Sequence, residues 1–188
     1  MRIIAGAAKG RRLKTRKGME TRPTADMVKE SLFNIIGGRL PEARFLDLFA
    51  GNGGVGLEAL SRGAAFCLFI EKNVQCVKII KDNLQLCGLQ HLAEVRQGEL
   101  PAALSGLQLQ FDVVFLDPPY HSPALKTTVE KISQLHLLVP EGLLIAEHHR
   151  QDKDWFAETK WQLVREKKYG ETILTFLVPT AAAAGKRE

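Results

Sequence analysis

A chain of 188 residues, 45% hydrophobic and 25% charged, suits a single globular domain that buries its own core without disulfide or metal staples. No apolar run approaches the roughly 20 residues of a membrane-spanning helix, and Met1-Arg2-Ile3-Ile4-Ala5-Gly6 lacks the apolar stretch of a secretory signal, so a cytoplasmic protein with no membrane partner is expected. The net charge of +5 is local: residues 1–22 carry eight basic side chains against Glu20 alone, whereas the rest of the chain holds 18 basic and 20 acidic groups.

In chain order, residues 2–22 alternate short apolar pairs with basic residues and Gly6, Gly10 and Gly18, which predicts a hairpin-like or extended arm. Its charge reads either as a solvated face or as a phosphate-contacting element. Pro23 sits where a helix begins, Thr24 can cap it, Val28, Leu32, Ile35 and Ile36 recur at helical spacing, and Gly37-Gly38 ends it. Strands are expected at 44–49, 66–71, 92–97, 111–116 and 142–148, and helices at 55–62, 73–87, 99–105 and 123–137. This alternation predicts a doubly wound α/β fold with a mostly parallel sheet. Two strand-like runs, 161–168 and 171–178, flank Tyr169-Gly170 and predict a closing antiparallel hairpin. The expected organisation is a basic arm over 1–22, one catalytic domain over 23–179 and a disordered tail over 180–188.

Two motifs carry chemistry. Gly51-Asn52-Gly53-Gly54-Val55-Gly56 follows the first strand and opens a helix, so its N–H groups can face an anion. Glu71, 20 residues after Gly51, can accept hydrogen bonds from both hydroxyls of a ribose. This spacing alone also describes a dinucleotide site. Asp47, inside the preceding strand, separates the two: it would repel a pyrophosphate but favour the ammonium and sulfonium of S-adenosylmethionine.

The second motif, Asp117-Pro118-Pro119-Tyr120, leaves the strand 111–116 at its carboxyl end, the edge where open α/β sheets bind ligands. The prolines remove two N–H donors and leave carbonyls to accept. The Asp117 carboxylate and the Pro118 carbonyl then make an acceptor pair for the two hydrogens of an exocyclic NH2, and Tyr120 offers a face on which a base can stack. Cys67, Cys76 and Cys87 match no zinc spacing and are expected to pack as small hydrophobes; no metal is expected. His121 reads as an exposed turn residue, His148-His149 as a strand end, and Asn34 as a packed polar group.

The runs Asp47-Leu48-Phe49-Ala50-Gly51-Asn52-Gly53 and Asp117-Pro118-Pro119-Tyr120 resemble the cofactor and catalytic motifs of amino-methyltransferases of the seven-strand class I type, whose fold is Rossmann-like. Arg2-Ile3-Ile4-Ala5-Gly6, Lys9-Gly10-Arg11, Thr21-Arg22-Pro23-Thr24, Glu30-Ser31-Leu32-Phe33-Asn34 and Gly56-Leu57-Glu58-Ala59-Leu60-Ser61-Arg62-Gly63-Ala64 resemble, more narrowly, the bacterial family that methylates N2 of a guanine in 16S ribosomal RNA. The likeness covers about residues 2–178. It implies S-adenosylmethionine held by Asp47, Gly51, Gly53 and Glu71, and a target amine at Asp117, Pro118 and Tyr120. It also implies a seven-stranded sheet and 16S ribosomal RNA as partner, within an assembling small subunit. The class usually has Asp after the third strand to meet the cofactor's adenine; this chain has Glu99, one methylene longer. Arg11, Arg12 and Arg22 are the candidate RNA contacts. The Asp-Pro-Pro-Tyr run is shared with DNA adenine-N6 enzymes, but only 68 residues follow Tyr120, too few for a separate target-recognition domain. A dinucleotide oxidoreductase and a non-catalytic ribosome-assembly module are the alternatives of other classes.

Overall fold

The structure is a computed structural model that describes residues 1–16, 23–152, 155–156 and 160–180, with the backbone alone for 23–25. Arg22, the Thr24 cap and the tail from residue 181 therefore lie outside what is described.

The elements are α1 (Pro23–Ile36), β1 (Arg44–Leu48), α2 (Gly54–Ser61), β2 (Phe66–Glu71), α3 (Val74–Cys87), β3 (Ala93–Gln97), β4 (Phe111–Leu116), α4 (Ala124–Gln134), β5 (Leu138–His149), β6 (Trp161–Tyr169) and β7 (Thr172–Pro179). They build a seven-stranded sheet in the order β3-β2-β1-β4-β5-β7-β6, in which only β7 runs antiparallel to its neighbours. Strand order reverses between β1 and β4, which opens a crevice at their carboxyl ends.

Each central strand is buried on both faces, which is why it reads as an unbroken apolar run. Phe45, Phe69, Val113 and Phe115 face a core closed by α1, α2 and α3 through Phe33, Leu57 and Ile80. Their sequence neighbours Leu46, Leu68, Val114 and Leu116 face the opposite core with Val129 and Ile132 of α4.

Two expectations fail for identifiable reasons. The helix expected over 99–105 is one 3-10 turn, Ala102–Leu104, which buries only Leu104 and so offers the core no apolar stripe to sustain a longer helix. Strand β5 begins at Leu138, not at 142, because Pro140 and Gly142 are absorbed in a register shift opposite Phe111–Val113. Asn34 is exposed on α1 and not packed.

The N-terminal residues form a small hairpin, with Arg2 bridged to Arg12, the Ile3 N–H donating to the Arg11 carbonyl at 3.0 Å and the Gly10 N–H to the Ile3 carbonyl at 2.9 Å. This hairpin is fastened down. Ile3, Ala8 and Leu13 are buried. The Glu58 carboxylate, buried in α2, accepts from the Ile4 and Ala5 N–H groups at 2.8 and 3.0 Å and from Arg62 Nε at 2.8 Å, and Lys29 Nζ lies 3.5 Å away. A methyl group on Gly6, at φ +83°, would overlap the Ser61 carbonyl oxygen at 1.7 Å, so only glycine permits this approach.

Candidate active site

A cleft of about 670 Å³ opens at the carboxyl ends of β1, β2, β4 and β5. Six residues singled out in the sequence meet there: Gly51, Glu71, Glu99, Asp117, Pro118 and Tyr120. Arg11 and Arg12 lie elsewhere, exposed on the N-terminal hairpin.

The glycine loop is organised by the two acids beneath it. Phe49 leaves β1 at φ +59°, a left-handed conformation that costs a side-chain-bearing residue about 1–3 kcal/mol, and lines the cleft. The Glu71 carboxylate accepts from the Gly51 N–H at 2.9 Å and from the Asn73 N–H at 2.8 Å, one bond on each oxygen. Each oxygen keeps a second lone pair. Glu71 thus ties the loop after β1 to the start of α3 and still presents acceptor capacity to the cleft.

Asp47 and Gly53, both expected at the cofactor, are not among the residues that line the cleft. Asp47 is fully buried behind the loop, where Oδ2 accepts from the Gly56 N–H at 2.8 Å in the first turn of α2. Burial pushes its carboxyl well above the usual range, the Gly56 bond opposes this, and Asp117 and Glu71 add repulsion. In that place it satisfies a helix-start donor. Gly53 precedes α2 at φ +78°, wedged against Ile80 and Leu57. Gly56 is small because a methyl there would meet the Phe69 ring at 2.3 Å. The motif's later glycines therefore serve the packing of α2 and α3 on the sheet.

At the other wall, Asp117 follows β4, its N–H 3.4 Å from the Leu48 carbonyl. Asp117 lines the cleft and is exposed to it, and partial desolvation by the protein around it raises its carboxyl to about 7. Tyr120 stands at the rim, 44% exposed, with its hydroxyl 2.9 Å from Thr172 Oγ1 and its ring centroid 5.4 Å from that of His149. His121, at φ +58°, is exposed and pairs through Nδ1 with Asp152 Oδ1 at 3.1 Å. His148 Nε2 lies 2.8 Å from Thr175 Oγ1, and His149 Nε2 lies 3.0 Å from Glu171 Oε2. Glu99 lies at the cleft edge, 3.6 Å from Lys72 Nζ, with its side chain largely exposed.

Among the cleft residues that sequence reasoning missed are Glu147 and Arg16. Glu147, near the end of β5, lines the cleft beside Asp117, and burial followed by repulsion from Asp117 raises its carboxyl to about 8. Its signal was available: β5 neighbours β4, so an acid near its carboxyl end shares the ligand edge. Arg16, the last described residue of the basic arm, also lines the cleft and hydrogen-bonds the Cys76 thiol. Charge alone gave no reason to separate Arg16 from its neighbours. Cys67 and Cys76 are buried as expected, and Cys87 is half-buried.

The chain resembles known proteins along nearly its whole length. The family described as conserved hypothetical protein 95 matches residues 1–178. A Bacillus subtilis protein, YlbH, named provisionally as an rRNA methyltransferase, is 41% identical over 177 residues, which span 92% of this chain and 95% of the relative. The ribosomal RNA small subunit methyltransferase D of Haemophilus influenzae is 36% identical over 173 residues, 90% of this chain and 89% of that protein. A solved Escherichia coli structure, yhhF, described provisionally as a methyltransferase, superposes with a TM-score of 0.88 at 32% identity and covers 96% of this chain and 98% of its own. With this shared fold and this continuous likeness, the chain belongs to the methyltransferase family that includes the ribosomal RNA small subunit methyltransferase D proteins.

Proposed function

We propose that this protein transfers a methyl group from S-adenosylmethionine to the exocyclic N2 amine of a guanine in 16S ribosomal RNA, acting in the cytoplasm on an assembling small subunit. The observation that carries this reading is the opening of Asp117-Pro118-Pro119-Tyr120 into the same cleft as Gly51 and Glu71. The names of the relatives support ribosomal RNA as the substrate class.

The residues present fit the cofactor. Glu71 retains lone pairs for the ribose hydroxyls, Gly51 brings backbone close, Ile70 and Leu100 give apolar wall, and Glu99, on the same wall, is the candidate acceptor for an adenine amine. When bound, S-adenosylmethionine supplies a methyl group activated by its sulfonium. The protein's part lies with the amine, whose lone pair is delocalised into the base. Asp117, as carboxylate, and the Pro118 carbonyl accept its two hydrogens, draw the nitrogen toward tetrahedral geometry and aim the lone pair. Asp117 then takes up the proton that the methylated nitrogen releases and passes it to water. Tyr120 stacks the base, which must be turned out of any helix to enter. Arg11 and Arg12, with Arg22, contact phosphates, so that residues 1–22 act as the RNA arm of a catalytic domain spanning 23–179.

Mass mapping of nucleosides in 16S RNA from cells lacking this protein tests the reading. One N2-methylguanosine should be absent and should return when the purified protein acts on that RNA or on subunits carrying it. Full modification without the protein, or restoration of a methyladenosine in its place, would refute it.

A further inference from the structure

The cleft holds a second carboxyl group that the amine chemistry does not use. Leu116, the last residue of β4, is in register with Ala146 of β5 in the parallel part of the sheet, so Asp117, just past β4, and Glu147 of β5 directly follow a paired position. Neighbouring strands lie about 4.8 Å apart, and residues in register point to the same face. Both residues line the cleft, Asp117 exposed to it and Glu147 half-buried, and the two carboxyls stand close enough to repel each other. Two such groups on one wall have a cost that a protein avoids unless donors are brought to them.

The number of acceptors is informative. The edge of a guanine that carries N2 presents three N–H donors: two on N2 and one on N1. The wall offers three acceptor groups, namely Asp117, the Pro118 carbonyl and Glu147. An adenine presents only two donors there, flanked by N1, itself an acceptor. Resting on the guanine-N2 reading above, we propose that Glu147 is a specificity-determining catalytic-site residue whose carboxylate accepts the N1–H of the target guanine while Asp117 and Pro118 hold its N2 amine. A donor delivered by the base stabilises the ionised form of Glu147. A base with an acceptor at this position leaves that carboxyl opposed to a lone pair, and such mismatches are where buried polar sites discriminate most strongly.

The test uses 2-aminopurine, which keeps the N2 amine but lacks the N1–H. RNA carrying either guanine or 2-aminopurine at the modified position is methylated under single-turnover conditions by the full-length protein and by Glu147→Gln and Glu147→Ala. The wild-type protein should favour guanine by roughly 10- to 100-fold in kcat/KM. Glu147→Gln, whose amide can donate to a bare N1, should narrow that preference to within a few-fold, chiefly by slowing guanine. Glu147→Ala should narrow it as well, by losing the acceptor. Thermal melting and calorimetric S-adenosylmethionine binding show that each variant is folded with its cleft formed. Folded variants that keep the wild-type preference overturn the proposal, as does a wild-type preference for 2-aminopurine, which would make Glu147 a donor. Failure of the underlying reading looks different: the wild-type protein would then place no methyl on guanine N2 at all.

Discussion

The Tyr120 hydroxyl lies 2.9 Å from Thr172 Oγ1, so the ring at the end of the Asp-Pro-Pro-Tyr run is tied to the first residue of β7. The expected consequence is orientation more than chemistry. Tyr120→Phe keeps the ring and should slow methyl transfer only a few-fold; Thr172→Val should do the same, and the double variant should add little. Tyr120→Ala removes the stacking surface, worth roughly 1–3 kcal/mol per base, and should weaken RNA capture accordingly. Single-turnover kinetics on unmethylated small subunits measure all four. Loss of activity in Tyr120→Phe as deep as in Asp117→Ala would assign chemistry to the phenol oxygen.

Asp117→Ala should lower the methyl-transfer rate roughly 10²- to 10³-fold, the scale for removing one preorganised polar group at a reacting atom. Cofactor affinity should change little if Asp117 meets the target amine, as proposed. Rapid-quench assays with saturating S-adenosylmethionine, paired with calorimetry, separate the two effects.

Glu71→Ala should act in the opposite sense. It strands the Gly51 and Asn73 N–H groups as well as the ribose hydroxyls, at a cost of roughly 1–3 kcal/mol in binding for the lost acceptor. Calorimetry should show that loss with S-adenosylmethionine, and amide exchange at residues 51–53 should quicken in the free protein. Unchanged affinity would remove Glu71 from the cofactor site.

The paired acids give a pH signature. Unfolded Asp and Glu titrate near 4, whereas Asp117 and Glu147 are raised to about 7 and about 8 in the fold. Between those limits the folded chain binds the extra protons, so stability falls as pH rises through the window and is lowest above it. Asp117→Asn and Glu147→Gln should therefore raise the melting temperature relative to wild type at pH 8.5 and much less at pH 5. The transfer rate should move the other way, climbing between about pH 6 and 8 as Asp117 ionises. A melting gain independent of pH would argue against raised values at these positions.

How much of this was legible in the sequence depended on whether one stretch of chain decided it. The parallel sheet was readable because β1, β2 and β4 are doubly buried and so continuously apolar. The Gly51 loop and Asp117-Pro118-Pro119-Tyr120 were readable because each is a contiguous run at a strand end. The surroundings of Asp47 were not legible, because its motif position says which strand end it occupies but not what it bonds; only the packing of α2 shows that the Gly56 N–H donates to its carboxylate. Glu147 was invisible for a related reason: its significance lies in the β4–β5 register, a pairing across 30 residues that local patterns do not encode. The start of β5 was missed because Pro140 and Gly142 look like a loop when read locally.

The fastening of the N-terminal hairpin has a consequence for how the chain reaches its fold. Ile4 and Ala5 bind Glu58, 54 and 53 positions along, and Lys14 exchanges two hydrogen bonds with Asn83, 69 positions along, whose amide also holds the Asn52 carbonyl of the glycine loop. This segment thus cannot dock fully until α3 has been made. At about 5–20 residues per second, that leaves a strongly basic, partly apolar ribbon without all its partners for several seconds. Its docking also clamps the glycine loop, so completion of the cleft is coupled to capture of this segment by residues made after it.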